Sequence, residues 1–195
     1  MKFEYAEGAT PIDESESEGL IPNHINLQSE LNEWEQRNIN KALIELLYKK
    51  FKFDKILDVE FILGIHKKMF DETWIWAGKI RNTEKNIGVP PEKIRDEFKK
   101  LLDDILFQIE NKSYSNDEIC VRFHHRLVKI HLFPNGNGRH SRVITDMLLK
   151  SLGESEFTWG GKNLSINNPI RKEYIDALNK ADNGDYIPLM NFVRK

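Results

Sequence analysis

Between two runs of apolar residues at helical spacing, residues 131–142 read His131-Leu132-Phe133-Pro134-Asn135-Gly136-Asn137-Gly138-Arg139-His140-Ser141-Arg142. A proline and two glycines in one short span stop any helix that would otherwise run through. The chain must therefore turn here, between an upstream helix over about 117–131 (Ile119, Val121, Phe123, Leu127, Val128, Ile130) and a downstream one from about Arg139 to Leu152.

The other segments repeat this helical theme. Leu31, Trp34, Ile39, Ala42, Leu43, Leu46 and Leu47 recur at three- and four-residue steps and predict a helix from Ser29, its cap, to about Tyr48. Asp58 is placed to cap a second helix carrying Phe61, Ile62, Ile65, Met69 and Phe70. Helices are also expected over 92–110 and from Pro169, with Pro188 interrupting the C-terminal segment. Trp74 to Val89, punctuated by Gly78 and Gly88 and ended by Pro90-Pro91, predicts a short β-hairpin with Arg81 to Asn86 near its tip. Gly160-Gly161 suggests a second small hairpin. The expected fold class is all-α, mainly helical, with small β-hairpin accessories. Residues 1–28 are expected to form an extended lead, acidic at Asp13, Glu14, Glu16 and Glu18, ahead of a helical domain over 29–195.

Bulk properties exclude several classes of function. A net charge of −2 gives no global field toward nucleic acid or an anionic membrane, so neither is expected as a partner. The single cysteine, Cys120, rules out an intrachain disulfide, fits a reducing compartment and sits in an apolar run that suits packing. No signal peptide or long uncharged apolar run is visible, and a cytoplasmic location is expected. His124, His125 and His131 invite a zinc reading, but no cysteine or close acidic partner completes a ligand set. His124 or His125 is better suited to buttressing the loop or to packing, and His66 and His140 to surface or internally satisfied positions. Trp34, Trp74 and Trp76 read as core, and Lys49-Lys50 and Lys99-Lys100 as solvated faces.

The turn itself carries the chemistry. Gly136 and Gly138 allow positive φ and close approach of backbone N–H groups to an anion, as a nest at the positive end of the following helix. Arg139 and Arg142, three residues apart, share one helix face, where each guanidinium can grip phosphate oxygens. A diphosphate or triphosphate suits this better than a lone carboxylate. No Gly-Lys-Ser or Gly-Lys-Thr is present, so this is not a Walker loop, and the helical segment before it does not fit a Rossmann fingerprint. A neutral His131 at the mouth could accept a proton from an incoming hydroxyl. A Gly-Asn linker alone is only a turn, and a lone histidine only packing; the conjunction of His131, two glycines and two in-register arginines is what points to catalysis.

The stretch 131–142 resembles the Fic family signature HxFx[DE]GNGRxxR. Phe123-His124-His125-Arg126-Leu127-Val128-Lys129-Ile130 is similar to the helix before that loop, and Trp76 to Val89 to the family's β-hairpin flap. Glu18-Gly19-Leu20-Ile21-Pro22 and Leu31-Asn32-Glu33-Trp34-Glu35 resemble a subgroup known as mobile mystery protein B.

The resemblance implies a protein adenylyltransferase that moves AMP from ATP to a Ser, Thr or Tyr hydroxyl of an unidentified target protein. By that resemblance His131 is the base. Asn135, Gly136, Asn137 and Gly138 hold phosphates, Arg139 neutralises the β-phosphate and leaving group, and Arg142 binds the γ-phosphate. Phe133 anchors the loop. Ile80, Arg81, Asn82, Thr83, Glu84, Lys85, Asn86 and Ile87 form a flap that clamps the target by strand pairing. Asn135 stands where the family has Asp or Glu, an acid that helps bind Mg²⁺, so a weaker Mg²⁺ site is implied. Slower transfer, a different phosphate-containing donor, or a nucleotide-binding relative without catalysis are the alternatives. Glu18-Gly19 matches the end of an inhibitory motif, [ST]xxxE[GN], with Glu14 at its first position, which implies that Glu18 pairs with Arg142. Homo-oligomers also occur in the family.

Overall fold

The computed structural model describes residues 12–161 and 169–195. Within them the chain forms α1 (Glu14–Ser17), α2 (Gln28–Leu46), α3 (Phe53–Ile56), α4 (Val59–Phe70), a 3-10 turn at Pro91–Lys93, α5 (Ile94–Glu110), α6 (Asn116–Ile130), α7 (Asn137–Ser151), α8 (Pro169–Asp182) and α9 (Ile187–Val193). Helix α6 packs against α5, α7 and α9, α2 packs along α4, and α8 against α9. Phe98, Leu101 and Ile105 of α5, Phe123 and Leu127 of α6, Ile144 and Leu148 of α7 and Phe192 of α9 are all buried in one core. No helix among the described residues is long and apolar enough to cross a membrane.

Two of the helices start on a side-chain cap. Asp58 accepts the Phe61 N–H at 3.0 Å, and Ser115 caps α6 through the Glu118 N–H at 3.3 Å. Ser29 does not cap α2. The helix starts at Gln28, and Glu30 reaches back to the N–H groups of Asn26 and Leu27, contacts that lower its pKa. Pro188 does not interrupt the C-terminus either; it lies in the first turn of α9, where its missing N–H is harmless.

The structure is mainly helical, as expected, and no strand forms among the described residues. The lead makes a single antiparallel bridge, Leu20 to Trp74, with Ile21 and Ile75 N–H groups donating to Thr73 and Gly19 carbonyls. The segment expected as a hairpin is an arm without strand pairing. Gly78, at φ +78°, turns it tightly over α4, where a β-carbon would strike Lys67. Beyond that turn Arg81 is buried, not at a tip, and its guanidinium accepts the role a partner strand would have. It donates to the carbonyls of Thr83 at 2.7 Å and Val89 at 2.5 Å, so the arm closes on a side chain. At Gly160-Gly161, both at positive φ, the chain turns without a strand on the described side; residues 162–168 lie outside the described residues.

Candidate active site

His131 ends α6 in the left-handed region, at φ 59° and ψ 65°, a conformation that costs a residue with a β-carbon about 1–2 kcal/mol. The arm holds it there. Arg81 Nε donates to the His131 carbonyl at 2.6 Å, the Arg81 N–H to the Leu132 carbonyl at 2.9 Å, and the Val89 N–H to the Ile130 carbonyl at 3.4 Å. Gly88, at φ +104°, lies against His131, and a β-carbon on it would come within 2.7 Å of the His131 β-carbon and of Arg81 Nη2. His131 is 5% exposed. Burial, aided by the nearby charges of Arg81 and Lys85 and opposed by a hydrogen bond with the Val128 backbone, pushes its pKa down to about 4. The imidazole is therefore neutral near pH 7, the state a general base needs.

The turn after it is clamped from inside. Phe133 is fully buried and stacks on His66 with ring centroids 3.6 Å apart. His66 Nδ1 accepts the Gly78 N–H at 2.9 Å, so its Nε2 carries the proton and donates to the Asn135 carbonyl at 3.1 Å. His140 Nε2 likewise donates to the Ile62 carbonyl at 2.9 Å. Neither histidine is at the surface. The Asn137 carboxamide accepts the Phe133 N–H at 2.9 Å and donates to the Phe133 carbonyl at 2.7 Å. Its side chain thus closes the loop.

Helix α7 begins at Asn137, two residues earlier than expected, with Gly136 as its cap at φ 80°; a β-carbon there would run into the Phe70 ring. Gly138 consequently sits in the first helical turn, not at positive φ. The nearest atom to a β-carbon on it is Arg142 Nη1 at 3.8 Å, an ordinary contact distance, so Arg142 lies alongside this first turn. Arg139 and Arg142 follow the first-turn amides on the same helix. Arg142 is hydrogen-bonded to Tyr174, whose hydroxyl lies 2.8 Å from His124 Nε2. His124 thus supports the loop indirectly, through α8. Its pKa is pushed down to about 3, by burial first and by the Arg142 charge second.

Glu18 does not meet Arg142. It is exposed at the end of α1, and no ion pair joins the two residues. The acidic contact of the lead is Glu16, which accepts from Thr83 Oγ1 at 2.5 Å and pairs with Lys85 of the arm, while its carbonyl accepts Trp76 Nε1 at 3.0 Å. Lys85 also pairs with Asp13 at 2.7 Å. Along the arm Ile80 is half-buried, and Asn82, Glu84, Asn86 and Ile87 are exposed. The carboxylate that does reach the loop is Glu35 of α2, 2.7 Å from Arg139. Sequence spacing gave no signal for it, since one hundred residues separate it from Asn135.

For Mg²⁺ the side chains fit poorly. Asn135 offers one amide oxygen, and Glu35 already accepts from Arg139, Asn135 and Trp74. No cluster of three or more His, Cys, Asp or Glu among the described residues is placed to hold a metal.

Comparison with known proteins agrees with this geometry. The profile of the Fic/DOC family matches residues 56–149. The chain is 25% identical over 186 residues to the probable protein adenylyltransferase y4lH of Sinorhizobium fredii, covering 90% of each. It is 25% identical to protein adenylyltransferase fic-1 of Caenorhabditis elegans over 71% of this chain and 27% of that protein, so it spans only about a quarter of that relative. Among solved structures, a C. elegans Fic-1 fragment superposes with a TM-score of 0.64 at 25% identity, covering 92% of this chain and 51% of that one. BepC of Bartonella tribocorum with bound AMPPNP gives a TM-score of 0.71 at 17% identity, covering 93% and 97%. Its signature loop, its helical fold and these relatives agree with that match, and over residues 56–149 the chain is similar to the Fic/DOC family.

Proposed function

We propose that this protein is an adenylyltransferase that moves AMP from ATP to a Ser, Thr or Tyr hydroxyl of a protein target. The observation that carries this is a neutral, buried His131 at the end of α6, joined by the short signature turn to the N-terminus of α7, which carries Arg139 and Arg142. His131 takes the hydroxyl proton as the oxygen attacks the α-phosphorus, and pyrophosphate leaves. The α7 amides, the Gly136 and Gly138 backbone and the two guanidiniums stabilise the charge gathered on the leaving phosphates. Relatives named as protein adenylyltransferases and the AMPPNP-bound fold neighbour support ATP as donor. Asn135 is the one loop side chain left to offer an oxygen to a Mg²⁺ carried in with the phosphates, and no step depends on it. The arm from Ile80 to Ile87, with Asn82 and Glu84 exposed along it, suits an extended target segment.

Incubating the protein with α-labelled ATP, a divalent cation and a broad lysate tests this. Label on protein that disappears with His131→Ala supports transfer. Nucleotide binding without label in any arm favours a binding module instead.

A further inference from the structure

Glu35 is 1% exposed, yet its carboxylate faces the loop. Oε2 pairs with Arg139 at 2.7 Å. Oε1 accepts from Asn135 Nδ2 at 3.0 Å and from Trp74 Nε1 at 2.7 Å. Trp74 is itself 1% exposed and stacked on Trp76, so the carboxylate is fixed from behind as well as from the loop.

We propose that Glu35 is a positioning residue that holds Arg139 and Asn135 in the geometry that receives a polyphosphate. This rests on the transferase reading above. Three physical facts favour it. First, the two residues it grips lie on either side of Gly136 and Gly138, where backbone restraint is weakest, so a shared anchor ties both flanks of the turn to α2. Second, the pair runs through Arg139 Nη2, and a guanidinium carries five N–H donors, more than one carboxylate can occupy, so donors remain for phosphate oxygens. Third, an arginine free to roam must lose rotamer entropy when it binds, whereas one held in advance has already lost it. The underside of Arg139 is closed too, with its guanidinium carbon 5.1 Å from the Phe70 ring centre.

The opposing effect is charge. A carboxylate beside Arg139 reduces the field that draws an anion, so a competitor and a positioner predict opposite signs. Calorimetric titration of pyrophosphate and of ATP into wild type, Glu35→Gln, Glu35→Asp, Arg139→Ala and the Glu35→Gln/Arg139→Ala pair decides between them. Steady-state transfer kinetics and thermal melts accompany each variant. Glu35→Gln is expected to weaken both ligands about tenfold and to raise KM for ATP more than it lowers kcat. In the Arg139→Ala background the same change has little further effect. Glu35→Asp, which keeps the charge at shorter reach, recovers part of the loss and carries the comparison if Glu35→Gln melts early. Tighter binding in Glu35→Gln would overturn the proposal, because the carboxylate would then be a competitor. Equal weakening with and without Arg139 would also overturn it, since the role would be purely structural. Unchanged binding in Glu35→Gln refutes the positioning role alone. Absence of pyrophosphate and ATP binding in wild type refutes the transferase reading together with it.

Discussion

Arg81 Nε lies 2.6 Å from the carbonyl oxygen of His131, so the residue that ends α6 is held by the arm facing it as well as by its own helix, where its N–H donates to the Leu127 carbonyl at 3.3 Å. The same guanidinium takes the carbonyls of Thr83 and Val89. One side chain therefore joins the two ends of the arm to the candidate base.

Replacing Arg81 by Met leaves three buried or half-buried carbonyls without their donor. At about 1 kcal/mol or more for each stranded acceptor, a loss of about 3 kcal/mol in unfolding free energy is expected. Urea denaturation at neutral pH measures it. A loss below about 1 kcal/mol would mean that water replaces the guanidinium and that Arg81 does not organise the arm.

Gly88→Ala acts on the same junction from the other side. A methyl group at φ +104°, 2.7 Å from the His131 β-carbon, forces the arm or the histidine to move. AMP transfer is expected to fall at least about tenfold, a displacement effect at the reacting group. The helical circular dichroism should stay intact. Full activity in this variant would show that the His131 position tolerates a shifted arm.

His131 and His140 both have pKa values pushed down to about 4 from 6.5 by burial. Their folded forms resist protonation, so below pH 6.5 the unfolded chain binds more protons than the folded one. Stability is complete above that pH and is lost as pH falls toward about 4. At about pH 5 each contributes a destabilisation of about 2 kcal/mol. Thermal melts between pH 7.5 and 5 should show a falling midpoint, less steep in His140→Gln. Transfer activity, measured where the protein stays folded, should hold level down through pH 6.5. An acid limb centred at 6.5 would show that His131 is not the buried, neutral base described here.

Asn135→Asp restores an acidic residue to the loop, but at a place already facing a carboxylate. The Asn135 amide donates to Glu35 at 3.0 Å, and a second carboxylate there meets like charge. A loss of about 1–2 kcal/mol at pH 7 is expected, shrinking as the pair gains a proton on acidification. It should vanish in the Glu35→Gln background. Urea titrations of the single and double variants at two pH values check this; an undiminished loss in the double variant would refute the like-charge account.

The contact of α1 with the arm gives a further expectation. Glu16→Ala removes the acceptor of Thr83 and the buried partner of Lys85. Limited proteolysis should then cut between residues 82 and 87 sooner than in wild type, as local opening becomes easier. Identical cleavage rates would show that α1 does not restrain the arm.

The helices were legible because apolar spacing and caps are local: Asp58 and the apolar spacing of α4 announce themselves within a few residues. The signature loop was legible for the same reason, and Cys120 proved a buried packing residue whose thiol pKa is raised by burial. The expected strands were not found, because Trp74 to Val89 has strand-like composition but no neighbouring strand to complete its hydrogen bonds, and Arg81 supplies donors instead. Likewise only the fold shows that the Asn137 carboxamide bonds the Phe133 backbone. By itself the sequence determined the helical framework and the set of residues between His131 and Arg142, since periodicity and a contiguous motif need no partner. Only the tertiary structure decided that Arg81 restrains His131, that Tyr174 meets Arg142 and that Glu35, not Glu18, faces the loop, because each pairing depends on which helix faces lie together when the core closes.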